Sequence, residues 1–277
     1  MTAALAVRPQ EETRVAIAGL GAIGVGLCKA LHDGIAGFRL TAVSARDLDA
    51  ARERLAYLGP SVAFVPIAEL EGLADIVIEC APAALLPEIV GPFVKAGKTA
   101  FVLSCAALLG NSELVDLAEA HGGRIIVPSG AILGLDAVNA AAQGKIESVR
   151  MVTRKPVTGL KGAPFLVEQN ITIDEITEPL RIFKGTARQA AVGFPANLNV
   201  AVALSLAGIG PDRTELEIWA DPSLKRNVHN IQVKADSAEF EMTIENIPSD
   251  NPKTGRITAL SVISALKKMK APLRIGG

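Results

Sequence analysis

The glycine-rich segment GLGAIG at residues 19–24 constrains the fold of this 277-residue chain more than any other feature. A short β-branched run at 14–18 precedes it, a helical pattern at 25–32 follows it, and another strand is predicted at 39–43. Glycine permits the tight turn and the close approach of helix to strand that such a junction requires. The segment therefore predicts a strand–turn–helix–strand unit at the start of a parallel sheet.

The same alternation continues to about residue 130. Further strands are predicted at 63–65, 75–79, 99–103 and 124–127. Helices are predicted between them at 49–58, 67–70, 85–96 and 111–121, the last opened by an Asn or Ser cap. Strands that alternate with helices in this way form right-handed β–α–β units. We therefore expect an α/β first domain with a Rossmann-type, doubly wound parallel sheet.

The pattern changes after residue 130. Longer alternating strands are predicted at 147–153, 181–186, 214–220, 227–235 and 239–246, with an Ala/Leu-rich helix at 197–207. A mixed or antiparallel sheet with a helix on one face fits this pattern. A final amphipathic helix at 258–269 is expected to pack back on the first domain. The predicted parts are a disordered leader at 1–13, a first domain at 14–130, a second domain at 131–250 and a C-terminal segment at 251–277.

Composition argues against several classes of function. Lys and Arg number 28 and Asp and Glu 29, so a net charge of -1 creates no field that would attract nucleic acid. Gly, Pro or charged residues interrupt every apolar stretch before the roughly 18 residues that a membrane span needs. The N-terminus lacks the basic and apolar regions of a secretory signal. We expect a cytoplasmic protein that binds neither nucleic acid nor membrane.

The three cysteines, Cys28, Cys80 and Cys105, are scattered through apolar surroundings without CxxC spacing. We interpret them as reduced core thiols rather than as disulfide or zinc partners. Cys and His also never cluster at metal-ligand spacing, so a zinc enzyme is disfavoured and no metal is expected.

In its strand–helix setting, GLGAIG predicts dinucleotide binding rather than an ordinary turn. Gly19 permits the turn, Gly21 lets the backbone approach a pyrophosphate, and Gly24 lets helix and strand pack closely. Ala22 and Ile23 begin the helix whose unpaired N–H groups would face the phosphates.

The choice between NAD and NADP stays open. An NAD-selective site usually carries Asp or Glu at the end of the second strand, where this chain has VSARD at 43–47. Ser44 and Arg46 could accept a 2′-phosphate, and Asp47 comes two or three residues late. The alternative for Arg46 is a solvated loop residue. We therefore expect NAD or NADP as the cofactor.

Polar groups beside Gly or Pro mark the other half of the predicted site. Ligands of open α/β sheets lie beyond the carboxyl ends of the strands, so Cys80, Ala81 and Ser104 should line the nicotinamide end. Two further segments of this kind are 128–136, where the chain leaves the first domain, and 193–200, which opens the helix of the second domain. The Asn side chains of the latter could bind an amide or a carboxylate, or could simply cap the helix.

Five segments resemble the L-aspartate dehydrogenase family in order and separation: PSGAILGLDA, VTRKPVTGLKGAP, GFPANLNVAVALSLAG, NVHNIQV and NPKTGRITALSVISAL. The resemblance covers nearly the whole chain from Arg14. It implies an NAD(P)-dependent amino-acid dehydrogenase with a Rossmann domain, a second α+β domain with an open-faced mixed sheet, and a homodimer. The implied reaction oxidises L-aspartate to iminoaspartate, which hydrolyses to oxaloacetate and ammonia or feeds NAD biosynthesis.

The resemblance also assigns residues. Its catalytic histidine falls on His229, and its cofactor contacts fall on Ala131 and Asn199, with Asn197 as the near alternative. Residues 131–250 would then form the substrate, catalytic and dimerisation domain.

The chemistry of the implied reaction agrees with this assignment of His229. The substrate ammonium must lose a proton before hydride transfer, and water must then add to the imine. A side chain that titrates near neutral pH serves both steps, and histidine is the natural one. His32 and His121 are interpreted as surface or cap residues, which leaves His229 as the candidate; its alternative is a structural strand histidine.

A dicarboxylate substrate also requires cations. Lys155 and Lys161, in the segment TRKPVTGLKG, and Asn197 are the predicted substrate-binding residues. Arg154, Lys225 and Arg226 are further options, and a solvated basic loop is the alternative.

Two other functions compete with this one. A related two-domain NAD(P) oxidoreductase could act on another amino-acid-pathway substrate, as in the dihydrodipicolinate-reductase or homoserine-dehydrogenase type. The former would carry a His-His-Lys-rich catalytic helix, which this sequence lacks. A non-catalytic NAD(P)-binding regulator would bind cofactor without an aspartate-dependent change in nicotinamide absorbance.

Overall fold

A computed structural model describes residues 11–194, 198–249 and 255–276. The first part is a six-stranded sheet of parallel strands in the order β3-β2-β1-β4-β5-β6. Its strands are β1 Thr13–Ala18, β2 Phe38–Ser44, β3 Ala63–Phe64, β4 Ile76–Glu79, β5 Thr99–Val102 and β6 Arg124–Ile126. This is the doubly wound Rossmann order, and it confirms the predicted fold class.

Helices connect these strands. They are α1 Ala22–Gly34, α2 Leu48–Arg54, α3 Leu70–Leu73, α4 Leu86–Lys95 and α5 Glu113–His121. Short 3₁₀ turns lie at Ala56–Leu58, Ile67–Glu69, Ala83–Leu85 and Cys105–Gly110. The helix predicted at 49–58 is therefore wrong at its end, where a 3₁₀ turn replaces the last α-helical turn.

The predicted side-chain cap of α5 is absent. Ser112 precedes the helix with φ −61° and ψ −26°, already helical values, and makes no capping hydrogen bond. A capping side chain requires an extended backbone at that position. The Nδ2 group of Asn111 instead donates to the carbonyl of Ala107, 2.8 Å away, in the preceding turn.

The second part is a five-stranded mixed sheet in the order β11-β10-β7-β9-β8. Its strands are β7 Ile146–Lys155, β8 Leu180–Thr186, β9 Thr214–Ala220, β10 Asn227–Ala235 and β11 Glu239–Asn246. β7 and β9 are parallel, and the other neighbouring pairs are antiparallel. The mixed sheet is thus confirmed. Met151, Ile218 and Ile231 lie in the core on one face, while polar side chains such as Asn230 lie on the other.

In the described part of the chain, five helices lie within or beside this sheet, and one of them, α10, was predicted. They are α6 Leu135–Ala141, α7 Val157–Leu160, α8 Pro164–Glu168, α9 Ala187–Gly193 and α10 Asn199–Ala207. The unpredicted four are too short to show a helical period. The sequence does signal α9, because Thr186 and Gln189 form a reciprocal capping box.

The last helix, α11 Ile257–Lys270, returns to the first sheet as expected. Val262 and Leu266 are fully buried in one core with Val15, Ile17 and Leu27. No helix within the described residues is both long and apolar enough to span a bilayer. Thr13 already belongs to β1, and the division of the chain at residues 130 and 250 stays a prediction.

Candidate active site

A cavity of about 230 Å³ lies where the carboxyl edge of the first sheet meets the second sheet and α10. Its walls come from segments that are far apart in sequence. It brings together eight of the predicted site residues: Ile23, Cys80, Ala81, Ser104, Ala131, Lys155, Asn199 and His229. Such a cleft, apolar with a few convergent polar groups, is the ordinary form of a small-molecule site.

The glycine turn leads into this cavity and has the shape that a dinucleotide requires. Gly19 has φ +97°, and a Cβ there would collide with the backbone of Cys80. A Cβ at Gly24 would collide with the carbonyl of Gly19. A Cβ at Gly21, by contrast, would meet nothing within 4 Å, so open space lies in front of the N-terminus of α1. A pyrophosphate fits there, against the N–H groups that Ala22 and its neighbours leave unpaired.

The segment after β2 contains the residues predicted for the ribose side. Asp47 caps α2, its carboxylate accepting from the N–H of Ala50 at 3.0 Å. Arg46 is exposed. Ser44 is buried and, unlike the equally buried Lys155 and His229, does not line the cavity. Of the two polar residues proposed for a 2′-phosphate, the geometry therefore favours Arg46.

Glu79 is a buried carboxylate that sequence reasoning missed. Its Oε1 accepts from Ala81 N at 3.0 Å and from Ser104 Oγ at 3.0 Å. Its Oε2 accepts from Leu103 N at 3.2 Å and from Ser104 N at 2.9 Å. Burial raises the pKa of Glu79, and these hydrogen bonds oppose that shift. The predicted cofactor residue Ser104 thus has its hydroxyl engaged by a carboxylate behind the cavity wall.

Asn199 joins the second domain to the first. Its Oδ1 accepts from Ala106 N at 3.1 Å, and its carbonyl accepts from the Cys105 thiol at 2.9 Å. Its side-chain nitrogen is the group that could donate to a ligand in the cavity. The alternative residue, Asn197, lies outside the described residues.

The cysteine prediction agrees with the structure. Cys28 and Cys105 are buried, Cys80 is half-buried, and none is in a disulfide. Burial raises the pKa of Cys28 and of Cys105 to about 12 and that of Cys80 well above its usual value, so all three are neutral thiols.

Ala131 lies in a loop that two other elements hold. Asn246, at the end of β11, donates from Nδ2 to the carbonyl of Ala131 at 2.9 Å. The neighbouring Gly130 donates its N–H to Ser261 Oγ of α11 at 3.0 Å. The backbone at Ala131 is therefore fixed at the cavity wall by contacts from both sides.

His229 lies on the core face of β10, only 2% exposed, beside the equally buried Thr153 of β7. Its Nδ1 and the Thr153 hydroxyl are 2.8 Å apart. Burial, and then the charge of Lys155, lower the pKa of His229 to about 3. The expectation that this histidine titrates near neutral pH is therefore wrong for this structure, because burial disfavours the imidazolium.

Lys155 is a predicted substrate-binding residue that lines the cavity. It ends β7 two residues beyond Thr153 and so on the same face, and it is 3% exposed. Burial lowers its pKa to about 8. Lys155 and His229 thus face the same small volume from adjacent strands.

The other predicted cations lie elsewhere. Lys161, expected to bind substrate, does not line the cavity and pairs with Asp174 at 2.6 Å on the surface. Arg154 points to the opposite sheet face, where its guanidinium lies 4.7 Å from the Trp219 ring centre. Arg226 is 3.7 Å from Glu245. Among the described residues, Lys155 is thus the predicted cation that lines the cavity.

The Rossmann sheet, the glycine turn and a cavity with buried His and Lys define a two-domain nicotinamide-dependent dehydrogenase. The family model "Homoserine dehydrogenase, NAD binding domain" matches residues 19–128, and "Aspartate dehydrogenase, C-terminal" matches residues 136–269.

Relatives narrow this class to one family. The L-aspartate dehydrogenase of Bradyrhizobium diazoefficiens is 62% identical over 265 residues, 96% of this chain and 94% of the relative. L-aspartate dehydrogenase 3 of Bordetella bronchiseptica is 60% identical over 268 residues, 96% and 98% of the two chains. The chain belongs to the L-aspartate dehydrogenase family, and it is an NAD(P)-dependent oxidoreductase.

A solved structure has the same overall fold. The aspartate dehydrogenase of Thermotoga maritima superposes with a TM-score of 0.74 at 23% identity, over 96% of this chain and 100% of that one.

Proposed function

We propose that this protein oxidises L-aspartate with NAD or NADP, giving iminoaspartate and then oxaloacetate and ammonia, and that it can catalyse the reverse amination. The observation that carries the proposal is the placement of buried His229 and Lys155 in one cavity at the carboxyl edge of the nucleotide-binding sheet. The names of the relatives support aspartate as the substrate.

The cofactor would be held along the path from the glycine turn to the cavity. Gly19, Gly21 and Gly24 would accommodate the pyrophosphate, and the loop at Ala131 and the side chain of Asn199 would flank the nicotinamide. Bound NAD(P)⁺ supplies the hydride acceptor.

Lys155 would bind a carboxylate of the substrate. Burial lowers the pKa of Lys155 to about 8, so the ammonium form predominates below that pH. A dicarboxylate entering the cavity favours the charged form and raises this pKa. A charge-assisted hydrogen bond then holds the substrate in a site from which water is largely excluded.

His229 would act as the general acid–base that transfers protons. The useful tautomer carries hydrogen on Nδ1, which donates to Thr153 Oγ1 and leaves Nε2 as the acceptor. Nε2 takes a proton from the substrate ammonium, and the negative charge of the bound substrate makes it a stronger base than in the free protein. After the substrate is oxidised to the iminium, the imidazolium releases its proton to solvent. Neutral His229 can then take a proton from the water that adds to the iminium carbon and give it to the nitrogen, which leaves as ammonia while the C=O bond forms.

The substrate prediction is selectivity for L-aspartate among amino acids. L-alanine lacks the second carboxylate, and L-glutamate is one methylene too long for the small cavity. Each change should lower kcat/KM by about tenfold or more. The measurement is steady-state NAD(P) reduction with purified protein and a panel that includes homoserine. Equal or better turnover of any of these three contradicts the proposed substrate.

The cofactor prediction concerns Arg46. We expect measurable activity with both cofactors, because Asp47, the first acidic residue after β2, caps α2 with its carboxylate. Arg46→Ala should raise KM for NADP about tenfold, the effect of one charge-assisted contact, and leave KM for NAD nearly unchanged. Arg52→Ala, an exposed cation of the same region that pairs with Asp49, is the matched control. Unchanged constants for both cofactors would make Arg46 a bystander.

The proposed assembly is a cytoplasmic homodimer formed through the open face of the second sheet. Trp219 lies on this face between two guanidinium groups, those of Arg154 and Arg181, at 4.7 and 5.8 Å from its ring centre. A large aromatic side chain flanked by arginines is typical of the centre of an interface. Light scattering of purified protein gives the oligomeric state.

A further inference from the structure

Glu79 lies directly behind the wall of the cavity, at the carboxyl end of β4. We propose that its carboxylate fixes the two loops on which the nicotinamide rests and favours binding of the oxidised, cationic ring over the reduced, neutral one. The inference rests on the proposed function, because it requires the nicotinamide to occupy this cavity. It assigns Glu79 as a positioning residue for the cofactor.

Glu79 holds two loops together through hydrogen bonds. It is fully buried, and it accepts hydrogen bonds from the loop after β4, at Ala81, and from the loop after β5, at Leu103 and Ser104. Cys80, Ala81, Leu103 and Ser104 all line the cavity, whereas Glu79 does not. One carboxylate therefore sets the relative position of two adjacent wall segments without touching the ligand.

The hydrogen bonds also fit the ionised form. Three of the four partners are backbone N–H groups, which can only donate, and the fourth is the hydroxyl of Ser104. Both carboxylate oxygens accept, and a protonated carboxyl could direct its hydrogen only to the Ser104 hydroxyl, which would then have to donate to the carbonyl of Ala81, 3.4 Å away. The adjacent thiols of Cys80 and Cys105 are neutral because burial raises their pKa values. The wall of the cavity thus has a buried negative charge behind it.

This charge distinguishes the two forms of the cofactor. The oxidised nicotinamide ring is cationic and the reduced ring is neutral, and a nearby anion of low solvent exposure attracts the former alone. Favouring the oxidised form would help the reduced cofactor leave after turnover.

The test is direct binding of both cofactor forms in the absence of aspartate. Calorimetry and nicotinamide fluorescence measure the dissociation constants for NAD⁺ and NADH. If the protein prefers NADP, the constants for NADP⁺ and NADPH are measured instead. Glu79→Gln keeps the shape and removes the charge, and it should shift the ratio of the two constants roughly tenfold against the oxidised form. Ser104→Ala, which removes one donor and keeps the charge, should change both constants alike.

An unchanged ratio in folded Glu79→Gln, or equal weakening of both forms, overturns the proposal. If that variant does not fold, the wild-type protein gives the same information as a function of pH. Protonation of Glu79 as the pH falls from neutrality should weaken NAD⁺ relative to NADH, and burial, which raises the pKa of Glu79 above its usual value, moves that protonation to higher pH. A ratio that stays constant as the pH is lowered to the acid limit of the folded protein also overturns it.

The neighbouring groups do not titrate in that range. Across the cavity His229 stays neutral and Lys155 stays charged, since their pKa values are about 3 and about 8. Cys80 and Cys105 stay neutral, and His32 and His121 are exposed residues outside the cavity. The binding experiment contains no aspartate, so its result does not depend on whether aspartate is the substrate. The hypothesis about Glu79 and the hypothesis about the substrate can therefore fail separately.

Discussion

His229→Ala is expected to lower kcat for aspartate oxidation by about 10²- to 10⁴-fold, the usual effect of losing a general acid–base group. The fold and cofactor affinity should stay near those of the wild type, because β10 is held on both sides by β7 and β11. Turnover and cofactor dissociation constants are measured on the same preparations.

Two variants make this result specific. His229→Asn keeps a hydrogen-bonding partner for Thr153 but cannot take up a proton, so it should restore little activity. Asn230→Ala changes the next residue, whose side chain bonds Glu241 and Thr243 on the opposite sheet face, and should be nearly normal. Near-normal turnover of His229→Ala would make the histidine structural.

Lys155→Met is expected to raise KM for L-aspartate by about 10- to 100-fold, which corresponds to the loss of one hydrogen bond to a charged group. Methionine fills the same space without a charge. Steady-state kinetics measure this effect, and thermal denaturation checks that the variant is folded.

Lys161→Met is the matched control, since Lys161 is a lysine six residues away that pairs with Asp174 outside the cavity. Its KM should be unchanged. The wild-type kcat/KM should also fall as the pH rises through about 8, where Lys155 loses its proton in the free protein. An equal effect of both lysine variants would contradict the assignment of Lys155.

The comparison of these two lysines shows what sequence reasoning can and cannot provide. The glycine turn and the strand–helix alternation depend on local sequence, so the first sheet could be predicted almost strand by strand. Lys155 and Lys161 occur in the same basic segment, and nothing local separates them. Only the extension of β7 to Lys155, two residues beyond the predicted strand end, places that side chain on the core face beside His229.

The contacts around His229 and Glu79 could not be predicted from the sequence for a related reason. Thr153 meets His229 because β7 and β10 pair in one register, and a shift of one residue would turn the side chain to the other face. The low pKa of His229 follows from tertiary burial, which a strand pattern does not measure. Glu79 gave one unused signal, an acidic residue at the end of an otherwise apolar strand, IVIE.

The decisive measurement follows the hydrogen of the substrate. Purified protein is incubated with L-aspartate deuterated at Cα and with NAD⁺ or NADP⁺, and the reduced cofactor is analysed by mass spectrometry. Direct transfer from Cα predicts one deuterium in each reduced nicotinamide and release of ammonia in equal amount. Reduced cofactor without deuterium, or cofactor binding without any aspartate-dependent reduction, would contradict aspartate oxidation in this cavity.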